Sequence, residues 1–535
     1  MPFHRRSGAS IFSAGLAALV ATVFSSGPSM AQTITLDSGA IADVAADASG
    51  VRMFKGIPFA APPTGELRWQ KPQPVKPWDG VRQAQDWGPR CMQSNRLGDI
   101  DSDNKRMTED CLYLNVWTPA KPATDRLPVM VWIHGGSNNV GAGSQPDYNG
   151  KNLATKGVIV VTINYRLDVF GFLAHPELTR ESGVQASGNY GLLDQIAALA
   201  WVQKNIAAFG GNPAEVTIFG ESAGAFNVSL LMASPLAKGL FARVIGESGG
   251  ALTPIAAFGP KPLEIGEADG LKFAQAMAAP SLAELRAKPA QEVLQAAIKS
   301  PINFGFGVVD GYVVPEHPAK SYAQGRFTAV PLLVGWNQDE GTLFAARSVK
   351  WGPDTPSYAE RIRTQFKDQA DAVLKLYPAG ATQDDDKATF AALLGDEIIS
   401  YGGWAWAERA SATTPTYRYL FSRRPPGAPE LSVYPLTGPG VYHSAELYYV
   451  FNNLQIRDWP WEADDRKLAD TMTSYWVNFA KTGTPNGNGM PQWPAYKPGG
   501  GGQVMQLGQA VAVGQELHRN RYEFFDAYYR GLAPR

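Results

Sequence analysis

The chain carries few of the features that would commit it to nucleic acid, a metal or a membrane interior. Its 48 basic and 49 acidic residues nearly cancel, leaving a net charge of −1, and no basic block stands out. The electrostatic footprint of a nucleic-acid binder is therefore missing, and no such partner is expected. Cysteine is scarce: Cys91 and Cys111 are the whole inventory. Their spacing suits neither a zinc site nor a C-x-x-C redox pair. One acidic stretch, Asp99-x-Asp101-x-Asp103 followed by Asp110, has the spacing of a calcium loop. Its sixth position is Asn104 where such loops need glycine, and paired helices do not flank it, so no metal is expected. Beyond the N-terminus no apolar run approaches a membrane span. No repeat or interdomain linker divides the chain, which reads as one domain over 32–535. Hydrophobic residues make up 44% of the chain and charged residues 18%, the balance of a globular protein with a large core.

The N-terminus has the pattern of a processing signal. His4-Arg5-Arg6 precedes a short apolar stretch from Ile11 to Phe24, and Ser29-Met30-Ala31 offers small residues for cleavage. Residues 1–31 are expected to be a signal peptide cut after Ala31. The mature chain would then be exported, periplasmic or secreted, without stable membrane insertion. Arg5-Arg6 lacks the hydrophobic residues that follow in a twin-arginine signal, and the export route stays open. In an exported chain two cysteines read as one disulfide, and closing a loop of that length contributes roughly 3 kcal/mol.

Along the chain, apolar runs alternate in period. Thr33 to Phe59 resembles an antiparallel edge. Pro128–Ile133 and Val158–Tyr165 are continuous apolar strands. From Leu192 to Phe209 apolar residues recur at helical spacing, and Gly210-Gly211-Asn212-Pro213 ends that helix. Val216–Phe219 is a further strand, followed by helix formers from Ala223 to Met232. This order predicts an α/β fold with a large, mostly parallel sheet flanked by helices. Two helical insertions are expected, 251–300 as a lid or cap and 358–412 as a second, helix-dominated insertion. Tyr417, Tyr419 and Phe421 alternate as a half-buried strand, and Asp465–Lys481 is amphipathic.

The chemistry centres on Gly220-Glu221-Ser222-Ala223-Gly224. A G-x-S-x-G at a strand-to-helix corner is a nucleophile elbow, with Ser222 strained and exposed at the turn. A serine nucleophile needs a base, an orienting acid and donors for the oxyanion. In elbow-bearing α/β sheets the acid and then the histidine follow the serine. Of six histidines, His317, His443 and His518 lie after Ser222. His317 precedes the best acid candidate and His518 lies in a charged C-terminal helix. His443 occupies a loop after an alternating strand, where such a base belongs. Asp339 and Glu340, after the strand Pro331–Gly335, both satisfy the order for the acid, and spacing does not choose between them. The oxyanion donors are expected to be the N–H groups of Gly136 and Ser137, after the Val129–Ile133 strand, with that of Ala223.

Together these stretches resemble the type-B carboxylesterases, the cholinesterase-like family of α/β-hydrolases. The resemblance runs from Phe54-Lys55-Gly56-Ile57-Pro58-Phe59-Ala60 through Glu109-Asp110-Cys111-Leu112 and Asn164-Tyr165-Arg166. It continues through Gly188-Asn189-Tyr190-Gly191, Phe219–Ala225 and Asp339-Glu340-Gly341 to His443–Glu446. It implies a serine carboxylic-ester hydrolase with the triad Ser222, Glu340 and His443, and so selects Glu340 as the acid. It also implies the Cys91–Cys111 disulfide, the ion pairs Arg68–Glu109 and Arg166–Asp194, and supporting roles for Glu221 and Ser248. The substrate would be a small-molecule ester, and no cofactor is required.

Two departures bear on specificity. The family's third oxyanion glycine is replaced by Ser137, followed by Asn138, which predicts a tighter or differently hydrated hole that disfavours bulky tertiary-alcohol esters. No Trp, Tyr or Phe lies between Cys91 and Cys111, and Leu343 stands where cholinesterases carry an aromatic. Choline esters are therefore not the expected substrates. Asn138, Phe304, Phe306, Leu343 and Phe344 are the candidate pocket residues. The alternatives to an exported serine esterase are a catalytically silent adhesion or binding protein on the same fold, and a lipase with interfacial activation. The intact set of Ser222, Glu340 and His443 argues against the first. Oligomeric state has no signature in the sequence.

Overall fold

A computed structural model describes residues 33–94, 105–119, 125–254, 259–348, 350–352, 354–427, 440–499 and 502–532. The signal segment and the calcium-like Asp99, Asp101 and Asp103 lie outside the described residues.

A ten-stranded sheet runs through the molecule. From one edge to the other its strands are Val511–Gln515, Gln503–Leu507, Thr416–Phe421, Leu332–Asn337, Arg243–Glu247, Gly211–Glu221, Leu127–Ile133, Ile159–Ile163, Tyr113–Pro119 and Val51–Pro58. The inner pairs are parallel, while one pair at the first edge and two at the other are antiparallel. Thr33–Leu36 and Gly39–Ala42 form a separate small hairpin with a short third strand.

The unbroken apolar strands are explained by burial on both faces. Val129, Val131 and Ile133 join one core layer with Leu199 and Val202, whereas Met130 and Trp132 join the other with Met472 and Trp476. The helix predicted over 192–209 spans Tyr190–Asn205 and continues as a tight turn over Ile206–Phe209. The amphipathic 465–481 stretch becomes Ala463–Thr482, ended by Gly483 at φ +78°.

Two expectations change. Tyr417, Tyr419 and Phe421 do not form a half-buried strand. Thr416–Phe421 lies inside the sheet, and even Arg418 is buried, paired with Glu516 and stacked over Trp336. The alternation that suggested a wet face reflects this covered ion pair. His518 precedes rather than occupies the C-terminal helix, which spans Arg519–Leu532. The 251–300 region contains helices Leu263–Ala276, Leu282–Ala287 and Ala290–Lys299. The 358–412 region is helical throughout most of its length and includes a π-helical turn, Asp396–Ser400.

Candidate active site

The elbow follows from close packing at the end of a central strand. Gly211–Glu221 ends one residue before Ser222, and the helix Ala223–Ala233 starts one residue after it. Ser222 has φ 55° and ψ −124°, a sparsely populated conformation costing about 1–3 kcal/mol. The flanking glycines make this turn possible. A Cβ on Gly224 would sit 2.0 Å from the Ile133 carbonyl oxygen, and one on Gly220 would sit 2.6 Å from it. The Ser222 N–H donates to the Glu247 carbonyl at 2.9 Å, tying the corner to the neighbouring strand.

His443 reaches this corner from a loop more than two hundred residues later. Its Nε2 is 2.8 Å from Ser222 Oγ, and its Nδ1 is 2.6 Å from Glu340 Oε2. The other Glu340 oxygen accepts the Asn337 N–H at 2.7 Å, which fixes the carboxylate at the end of its strand. Asp339, the rival acid, faces elsewhere: its Oδ2 accepts the Val441 N–H at 2.8 Å. It thus buttresses the loop that carries His443. His317 caps the helix Pro318–Ala323, with Nδ1 accepting the Ala319 N–H.

The imidazole lies among buried carboxylates. Burial alone would lower its pKa, but the charges of Glu221 and Glu340 outweigh that and raise it to about 9. Glu221 Oε1 is 3.2 Å from His443 Nε2 and accepts the Ser444 hydroxyl at 2.5 Å. Burial pushes the Glu221 carboxyl up from its usual range. Neutral His443, with its proton on Nδ1, would turn a lone pair toward Glu221, so two acceptors would face each other. The pair therefore favours keeping one shared proton. Ser248 Oγ donates to Glu446 Oε1 at 3.1 Å, and Asn337 Nδ2 donates to Glu446 Oε2 at 2.5 Å. Burial, with the fields of Glu221 and Glu340, lifts the Glu446 pKa to about 8. Sequence reasoning named Glu221 and Ser248 but gave no role to Asn337, Ser444 or Glu446. Their only sequence signal is position, beside the acid and the base.

A cavity of about 450 Å³ opens over Ser222 and His443. Gly136, Ser137, Tyr148, Leu343, Phe344 and Tyr442 contribute to its lining, and the Phe344 ring centroid is 5.0 Å from that of His443. Gly136 and Ser137 have φ of 99° and 56°, and their N–H groups have no acceptor among the described residues. Three expected pocket residues stand outside this lining. The Asn138 side chain turns into the core to bond Gly305, Asn227 and Tyr165. Phe304 packs edge-on against Phe273, and Phe306 sits against Phe226 of the elbow helix. Apolarity marked these phenylalanines but could not say which faced a cavity and which a neighbouring helix.

The supporting pairs hold the surrounding loops. Arg68 binds both Glu109 oxygens at 2.6 Å and also the Arg286 and Lys288 carbonyls. Arg166 and Asp194, 3% and 0% exposed, form a two-pronged pair at 2.7 and 2.8 Å. Cys91 and Cys111 are joined in a disulfide.

Known proteins share this architecture over most of its length. The profile of the carboxylesterase family matches residues 33–525. The fumonisin B1 esterase of Sphingopyxis macrogoltabida is 39% identical over 494 residues, spanning 90% of this chain and 87% of that protein. The para-nitrobenzyl esterase of Bacillus subtilis is 37% identical over 470 residues, 84% of this chain and 89% of its own. A solved PNB esterase superposes with a TM-score of 0.77 at 34% identity, covering 92% of this chain and 99% of that one. A thermophilic PNB esterase gives 0.79 at the same identity and coverage. The chain therefore belongs to the carboxylesterase family, hydrolases of carboxylic esters built on the α/β-hydrolase fold.

Proposed function

We propose that this carboxylesterase works by two-step acyl transfer on small to medium, uncharged esters. Ser222 Oγ attacks the ester carbonyl as its proton passes to His443 Nε2. Glu340 holds the ring with its proton on Nδ1 and stabilises the imidazolium that forms. The oxyanion is met by the N–H groups of Gly136, Ser137 and Ala223. The C–O bond to the alcohol breaks, and the alcohol leaves with the proton from His443. Water, activated by the same imidazole, then cleaves the acyl-serine and releases the acid. The observation that carries this reading is the continuous relay of 2.6 and 2.8 Å from Glu340 through His443 to Ser222.

The cavity supports the choice of substrate class. Besides His443, its lining carries two carboxylates, Glu221 and Asp147; Asp147 is paired at 3.5 Å with Arg457, which also lies over the ring of the lining Tyr448. The Glu221 carboxylate beside the nucleophile would repel an anionic acyl group, whereas neutral alkyl and aryl esters would meet no such repulsion. The names of the relatives suggest fumonisin B1 and para-nitrobenzyl esters for the first panel. A fluorophosphonate probe should label the wild-type protein once, and Ser222→Ala should abolish both labelling and ester turnover. Ester turnover retained in Ser222→Ala would reject the mechanism. The N-terminal pattern further supports export, and a mature protein beginning at Gln32 in a fraction outside the cytoplasm is the outcome expected. An uncleaved chain retained in the cytoplasm would reject that.

A further inference from the structure

The oxyanion loop poses a physical problem at its left-handed turn. Ser137 and Asn138 are consecutive non-glycine residues at φ 56° and 54°. Left-handed backbone costs an L-residue roughly 1–2 kcal/mol, and runs of it are rare. Asparagine tolerates it better than most, but serine has no such preference. Something must hold this turn in the conformation that frees the two N–H groups.

The geometry points to a buried amide clamp, Asn138 with Asn227 and Tyr165, as the device that positions the oxyanion hole. Asn227 Nδ2 donates to Asn138 Oδ1 at 2.8 Å, and Asn138 Nδ2 faces Asn227 Oδ1 at 3.2 Å. Asn138 Nδ2 also donates to the Gly305 carbonyl at 2.6 Å. The Tyr165 hydroxyl lies 2.9 Å from Asn138 Oδ1 and 2.7 Å from the His134 carbonyl oxygen, and shares its one proton between them. All three side chains are almost fully buried, where an amide losing its partner costs the desolvation of the group left behind.

The placement of Asn227 makes the clamp more than a core contact. It sits one helical turn beyond Ala223 in the helix Ala223–Ala233. Ala223 supplies one oxyanion donor, and Gly136 and Ser137 supply the others from a different loop. The paired amides thus lock together the two segments whose N–H groups must converge on one oxygen. Tyr165 braces the same loop at both ends, at His134 before the donors and at Asn138 after them. Asn138 and Asn227 are positioning residues, acting through the backbone they hold.

This inference rests on the reading of Gly136, Ser137 and Ala223 as oxyanion donors. The test uses a trifluoromethyl ketone, to which Ser222 Oγ adds while its proton passes to His443, leaving a hemiketal oxyanion in the hole. Asn227→Leu removes the amide at similar volume, and Tyr165→Phe removes only the hydroxyl. Loss of one full oxyanion donor costs about 10²–10³-fold in rate, so partial misplacement in Asn227→Leu should lower kcat by about 10–100-fold. Affinity for the ketone should fall in parallel, with KM and the pH midpoint of the profile little changed. Tyr165→Phe should give a smaller loss of the same pattern, and it carries the test if Asn227→Leu does not fold. Adding Ser137→Gly to Asn227→Leu should recover part of the loss, because glycine adopts the left-handed turn without strain. Folded variants that melt earlier but keep wild-type kcat and ketone affinity would overturn the clamp. Weak ketone binding by the wild-type enzyme itself would instead overturn the reading of the donors.

Discussion

Replacing Glu221 by glutamine tests how the site sets the basicity of its imidazole. Glu221 Oε1 lies 3.2 Å from His443 Nε2. At that separation and an effective dielectric constant of about 20, two unit charges attract by about 5 kcal/mol. The Ser444 hydroxyl already occupies the same oxygen, so the field at the ring is weaker than this bare figure. An opposite charge at close range usually shifts a pKa by about 1–3 units, or roughly 1.4–4 kcal/mol. His443 is raised to about 9, with Glu221 the largest raising influence against the lowering effect of burial. Only the neutral ring can accept the Ser222 proton, so wild-type kcat/KM should rise with pH through that region. In Glu221→Gln the protonated ring loses its partner, and the acid limb should move down by about 1–3 units. An amide N–H turned toward Nε2 would move it the same way. The alkaline plateau should also fall, because the imidazolium formed during attack loses a counter-charge. The measurement is kcat/KM for a neutral alkyl ester across pH by titration of released acid, which reports the free enzyme. An acid limb that stays in place, or moves upward, would refute the reasoning.

The other predictions concern stability and specificity. Arg166→Leu leaves Asp194 buried without its partner and should cost about 3–5 kcal/mol, read as a lower denaturation midpoint. The double variant Arg166→Leu with Asp194→Leu should recover much of that, and an unchanged midpoint in the single variant would refute the pair's role. Wild-type enzyme should hydrolyse n-butyl acetate much faster than tert-butyl acetate. Ser137→Gly should narrow the ratio, and equal wild-type rates on the two esters would remove the idea of a tight hole.

Periodicity and order account for much of what could be read before any coordinates. Apolar runs bounded by glycine and proline located the central strands. The corner at Ser222 was legible because Gly220 and Gly224 bracket a residue between a strand and a helix. The chemistry of these residues is local, so a short window contains its signal. Sequence order set aside His317, and His518 was set aside by a helical placement that the fold corrects, which left His443. Order left Asp339 and Glu340 level, since both follow the same strand and differ by one position. Resemblance to a family selected between them; the folded chain shows why they differ physically. Asn337 holds Glu340 against the ring, while Asp339 is taken up by the Val441 N–H.

Local pattern by itself thus determined the α/β sheet, the strained corner and the supply of titratable groups. Which of those groups meet was decided only by tertiary structure. Glu221 and Glu340 lie more than one hundred residues from His443 along the chain, yet both act on it. Phe304 and Phe344 are equally apolar, yet one packs against Phe273 and the other beside the imidazole. Asn138 is polar and borders the oxyanion loop, yet its amide points into the core. Direction and through-space distance depend on how the sheet, loops and helices pack across hundreds of residues, and no short stretch of sequence encodes that separation.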